Sequence, residues 1–103
     1  MGQNIKQISK QTVRQVVAIV EDDIEQRSLY MKALQANDYD VIEFSDRQSA
    51  IDSFEETLPD LVILDIALGA DVGGGFEVCR YLQQRDASLP VIFLTSRGDE
   101  LDK

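Results

Sequence analysis

The sequence has 103 residues, 44% of them hydrophobic and 28% charged, which suits one small domain with a real core. Its formal net charge of -9 argues against direct nucleic-acid binding and against attraction to an anionic membrane. There is no histidine, which removes most zinc sites, and Cys79 is the only cysteine, so no intramolecular disulfide is possible. A bound metal is expected to be a hard cation held by carboxylate oxygens, and the lone thiol fits a reducing cytoplasm.

Residues 1–14 form a polar, glutamine-rich leader that carries Lys6, Lys10 and Arg14 and no acid. It is expected to be a tail or a short frayed helix, with the domain proper at 15–103. No apolar run is long enough to suggest a signal peptide or a membrane span. The first strand is expected at Val16–Val20, which runs straight into Glu21, Asp22 and Asp23. Ile24 to Ala36 then reads as an amphipathic helix capped by Asp23, with Ile24, Ser28, Leu29, Met31 and Leu34 toward one side. After a turn at Asn37–Tyr39, Asp40–Phe44 alternates in the manner of an edge strand. Ser45 and Gln48 have the spacing of a capping box for a second helix, which Leu58-Pro59 closes.

The third strand, Leu61 to Leu64, ends in Asp65. An unbroken apolar run suits a strand covered on both faces, and a carboxylate is costly there unless it stands at the strand's wet end. The segment from Gly69 to Gly75 reads as a flexible glycine-rich link, and it is no P-loop because no Gly-Lys-Ser/Thr follows. A third helix begins near Gly75, with Phe76, Val78, Cys79, Tyr81 and Leu82 as its apolar positions. Val91–Leu94 is the fourth strand and leads into Thr95.

Alternation of apolar strands with helices on short links implies an α/β domain, a doubly wound parallel sheet with right-handed crossovers. Such sheets bind ligands at the carboxyl ends of their strands. Glu21, Asp22, Asp65 and Thr95 all fall at that edge. Three neighbouring carboxylates repel one another unless a cation intervenes, and Mg²⁺, an oxygen-seeking ion that couples to phosphate, is the natural candidate. Asp65 is then placed to attack a phosphoryl group, and Thr95 to donate a hydrogen bond to it.

The stretches VEDD, PDLVILDI, GFEVCRYL and PVIFLTS, together with the spacing of Asp22, Asp65 and Thr95, resemble the receiver domain of bacterial two-component response regulators. The resemblance runs from about Val16 to Asp102. It implies a flavodoxin-like fold with strand order 2-1-3-4, and a phosphoacceptor role for Asp65 in phosphorelay signal transduction. Glu21, Asp22 and Asp65 would hold Mg²⁺ with the backbone carbonyl of Ala67, and Thr95 would be the switch hydroxyl. The implied partners are a sensor histidine kinase or phosphotransfer protein, with an output domain outside this chain.

Three departures from the family pattern stand out. Gly69 occupies a place usually held by proline, and the loop before Phe76 is longer than usual. The family's fifth strand, last two helices and catalytic lysine have no counterpart, so the sequence reads as a receiver domain truncated before its fourth helix. A sheet left open at its fourth strand is expected to self-associate as a homo-oligomer. Two readings compete. One is a pseudo-receiver that docks without phosphate. The other is a phosphatase of the haloacid-dehalogenase kind, whose Asp-x-Asp the sequence Asp65-Ile66-Ala67 lacks.

Overall fold

The computed structural model describes residues 14–66 and 74–94. Within them the chain forms β1 (Val16–Val20), α1 (Ile24–Ala36), β2 (Asp40–Phe44), α2 (Arg47–Glu56), β3 (Leu61–Asp65), α3 (Gly74–Arg85) and β4 (Val91–Leu94). The strands pair in parallel in the order β2-β1-β3-β4, as expected. Of the leader, only Arg14 is among the described residues; its guanidinium pairs with Asp38 and Asp40 at the start of β2.

The central strands explain why the sheet forms. Val17 to Val20 on β1, and Val62 and Leu64 on β3, have no solvent exposure at all. Each such side chain contributes roughly 1.5–3 kcal/mol by leaving water. One face of the sheet, bearing Ala18, Val20, Val62 and Leu64, packs against Ala50 and Phe54 of α2 and Val78 and Leu82 of α3. Half-buried Cys79 and Tyr81 line the same packing face, as the periodicity suggested. Phe44 meets Phe54 edge-on at 5.4 Å between ring centres. A salt bridge from Arg47 to Glu77 ties α2 to α3. Arg85 reaches back from the end of α3 and donates to the Phe54 carbonyl at 3.0 Å. That carbonyl lies in the last turn of α2, where helix carbonyls run out of internal partners.

The helix caps are partly as read. Asp23 does cap α1: its Oδ1 accepts from the Glu25 and Gln26 amides at 2.9 and 3.3 Å. The cap of α2 is Asp46, which accepts from the Ser49 amide at 2.8 Å, and not Ser45. Gln48, expected to close a capping box, instead donates to Asp52 one turn on. A carboxylate is a stronger acceptor than a hydroxyl, and Asp46 stands one residue closer to the helix.

Two apolar positions of α1 also differ from expectation. Ile24 and Leu29 are 68% and 66% exposed, and no residue of α1 is fully buried. The helix rests on β1 and β2 through the side bearing Arg27, Met31 and Leu34, which are all partly buried. Leu29 lies on the far side of the helix from Arg27, Met31 and Leu34, and Ile24, though close to Met31 in angle, is the helix's first residue.

Beyond β1 the other face of the sheet becomes progressively bare. Ile19, Ile63 and Ile92 lie in one row across β1, β3 and β4, and their exposure rises from 0% through 9% to 49%. Phe76 of α3, also 49% exposed, packs its ring on Phe93 of β4 at 5.3 Å. Among the described residues, β4 pairs with β3 alone and its outer edge is open.

Candidate functional site

Parallel pairing brings the carboxyl ends of β1 and β3 side by side. Val20 is level with Leu64 in the ladder, so the next residues, Glu21 and Asp65, stand next to each other as both strands leave the core. Asp22 follows on the β1–α1 turn. Each of the three offers a carboxylate oxygen, and these oxygens all lie within 4.8 Å of one another. Glu21 is 1% exposed and Asp65 2%, whereas Asp22 is open to solvent.

The turn that carries Glu21 and Asp22 is held at several points. The Glu21 amide donates to the Phe44 carbonyl at the end of β2, at 3.0 Å. Glu21 Oε2 accepts from the Asp23 amide at 3.0 Å. Among the described residues, buried Glu21 Oε1 has no hydrogen-bond partner. A buried carboxylate oxygen left bare costs free energy unless a proton or a cation meets it. The pKa of Glu21 accordingly rises to about 7 from 4.5. Burial is the main cause, and the charge of Asp65 and the presence of Asp22 add to it, against the lowering effect of the Asp23 amide.

This shift predicts how stability depends on pH in the absence of divalent metal. A carboxyl whose folded pKa lies above its unfolded value binds more protons when folded. Its contribution is therefore full below about pH 4.5, declines as pH rises, and is lost above about pH 7. Urea unfolding in chelator should show that decline, and the Glu21→Gln variant should lose it. A wild-type profile that rises or stays level across this window would contradict the assignment.

The turn after β3 is equally confined. Ile66 donates to the Leu94 carbonyl, and Gly75 donates back to the Ile66 carbonyl, both at 3.2 Å. Gly74 and Gly75, read from the sequence as part of a flexible link, are the buried first residues of α3. A Cβ on Gly75 would stand 2.3 Å from the Asp65 carbonyl oxygen and 3.0 Å from the Ile66 Cα. Gly75 is therefore a packing position, where the start of α3 lies directly on the peptide that carries Asp65. The expected ligand Ala67 and the expected switch hydroxyl Thr95 lie outside the described residues, as do Gly69 and Gly73.

Two groups that shape the site escaped the sequence reading. Gly75 was hidden in a run of glycines. Arg27 looked like an ordinary helix-surface cation, yet its side chain is only 14% exposed and donates to the Glu21 carbonyl at 2.8 Å. An arginine one turn into a helix that follows an acidic turn was the only available signal.

A parallel α/β sheet with clustered acids at its carboxyl edge defines a class of phosphate-handling and metal-dependent proteins. Comparison with known sequences narrows it: the response regulator receiver domain profile matches residues 17–103. The chain is 34% identical over 87 residues to the alkaline phosphatase synthesis transcriptional regulatory protein PhoP of Bacillus subtilis, covering 84% of this chain and 35% of that protein. It is 38% identical over 92 residues to the transcriptional regulatory protein CreB of Escherichia coli, covering 87% of this chain and 38% of that one. Among solved structures, the receiver domain of a LuxO repressor protein from Vibrio parahaemolyticus superposes with a TM-score of 0.70 at 31% identity, over 81% of this chain and 62% of that one. The N-terminal domain of a response regulator protein from Carboxydothermus hydrogenoformans gives a TM-score of 0.73 at 30% identity, over 80% of this chain and 65% of that one. The chain belongs to the response regulator receiver domain family. It spans little more than a third of the length of the curated relatives PhoP and CreB.

Proposed function

We propose that this receiver domain takes a phosphoryl group onto Asp65 from a sensor histidine kinase or phosphotransfer protein in the cytoplasm. The observation that carries the reading is the convergence of Glu21, Asp22 and Asp65, two of them buried, with Glu21 Oε1 lacking a hydrogen-bond partner among the described residues. A buried bare oxygen within reach of two more carboxylates is what a small hard cation fits, and no imidazole or thiolate competes for it. Glu21, Asp22 and Asp65, with the Ala67 carbonyl, would hold Mg²⁺, whose charge would offset that of the incoming phosphoryl oxygens. Asp65 supplies the nucleophile: a carboxylate oxygen forms a bond to phosphorus as the bond from phosphorus to the donor breaks, leaving an acyl phosphate. Pairing of β3 on both sides holds the backbone that carries this carboxylate. Thr95, by its family resemblance, would donate its hydroxyl to the transferred group.

Incubation with a small phosphodonor tests this directly. One phosphoryl group per chain is expected in Mg²⁺ and none in chelator, and no labelling in Mg²⁺ would overturn the proposal.

The bare row ending at Ile92, the exposed Phe76 and the open edge of β4 favour self-association of this chain as a homo-oligomer. Sedimentation is expected to show concentration-dependent dimers or larger species for residues 1–103. A monodisperse monomer would refute the expectation.

A further inference from the structure

Arg27 sits where α1, β2 and the acidic turn meet. Its Nε donates to Glu43 Oε1 on β2 at 2.8 Å, and one terminal nitrogen donates to the Glu21 carbonyl, also at 2.8 Å. Its own amide donates to the Asp23 carbonyl at 2.9 Å. Asp23 in turn donates its amide to the Glu21 carboxylate. These bonds close a ring through residues 21, 23 and 27, and the exposed Asp22 lies inside it.

We infer that Arg27 is a positioning residue for the acidic site: it clamps the Glu21 carbonyl and so sets the direction in which the Glu21 and Asp22 carboxylates point. The physical reason is the planar guanidinium, which offers several fixed donors at once and bridges a carboxylate and a carbonyl with little loss of freedom. Glu43 anchors one side of that plane to the edge strand, so the other side meets Glu21 at a set height above the sheet. The Glu21 amide is already fixed by Phe44, and the clamp on its carbonyl removes the remaining rotation of the turn. Without it, the peptide between Glu21 and Asp22 is free to turn, and the two carboxylates no longer converge on Asp65.

The inference rests on the Mg²⁺ reading for its consequence but not for its structural core, and two measurements separate them. Hydrogen exchange of the Asp23 amide in metal-free protein reads the ring itself. Mg²⁺ titration reads what the ring does for the site. In Arg27→Met, Asp23 exchange is expected to quicken, and Mg²⁺ affinity to fall by about tenfold, the lower range for loss of a group that orients metal ligands. Arg27→Lys, which keeps the charge and one donor, is expected to recover part of both and to remain folded should the methionine variant not. Glu43→Gln removes the anchor's charge but keeps an acceptor, and should leave Mg²⁺ affinity within about twofold of wild type, well short of that loss. A general loss of stability would not follow this order of variants. Unchanged Asp23 exchange in both Arg27 variants would overturn the inference, as would Mg²⁺ affinity equal to wild type. If the wild-type protein takes up no Mg²⁺, the functional reading falls and the Asp23 exchange alone decides the clamp.

Discussion

Asp65→Asn should take no phosphoryl group under conditions that label the wild-type chain. Asparagine has nearly the same shape and fits the same place at the end of β3, where Asp65 is 2% exposed. Its neutral amide is a poor nucleophile, because the nitrogen lone pair is delocalised into the carbonyl and the oxygen lacks a carboxylate's negative charge. The substitution also removes one of three clustered negative charges. Asp65 is one of the groups that push Glu21 upward, so Glu21 should ionise more readily in the variant. The variant is thus expected to fold at least as firmly as wild type, which separates lost chemistry from lost structure. Intact-mass spectrometry after exposure to a small phosphodonor gives the count, and sensitivity to hydroxylamine identifies an acyl phosphate. One phosphate persisting on Asp65→Asn would move the acceptor to another acid, with Asp22 and Asp23 the first to examine.

Gly75→Ala is expected to damage both fold and site. Ordinarily a glycine in a helix costs about 1 kcal/mol relative to alanine, so propensity alone favours the change. Here the added carbon would meet the Asp65 carbonyl oxygen at 2.3 Å and that residue's carbonyl carbon at 3.1 Å. Neither is the free end of a flexible side chain. Both belong to the backbone of β3, which is hydrogen-bonded to β1 and β4 and cannot withdraw without breaking a ladder. Forcing extra volume into a packed site costs about 1–3 kcal/mol or more, and at this contact distance the net loss should reach about 2 kcal/mol after the propensity gain. For a domain of this size that lowers Tm by roughly 10 °C. The start of α3 must lift or Asp65 must move, so phosphoryl uptake should fall along with Tm. Thermal unfolding and labelling measured on the same sample decide the matter. A stabilised variant with full labelling would show that α3 shifts freely over the strand end.

Much of the architecture was legible in the sequence. VVAIV and LVILD are apolar without alternation, and only a strand covered on both faces has a use for such a run. Their pairing at the sheet centre follows, and with it the meeting of Glu21 and Asp65, because parallel strands side by side must end side by side. The acidic cluster was therefore implied by strand order and register, two properties that hydrophobic pattern largely dictates. Asp23 could be named as a cap for a similar reason, since a cap acts on amides two and three residues away.

Other features depended on contacts between segments distant in the chain. Ile24 and Leu29 carry the right residue type for a core face, yet the side of α1 that meets the sheet is settled by how the helix lies on β1 and β2. Asp46 and Ser45 are both competent caps, and the start of α2 at Arg47 put Asp46 in the cap position. Gly75 is one glycine among several in sequence, and only the approach of α3 to the Asp65 peptide makes it irreplaceable. Arg27 shows the same dependence most plainly. A charged residue in a helix is by default a solvated one, and nothing local to it announces Glu43 on the neighbouring strand. Local pattern determined which segments are strands and which acids close them. The tertiary structure alone decided which groups hold those acids in place, because close approach and bridging hydrogen bonds belong to pairs of elements and leave no periodic mark on either one.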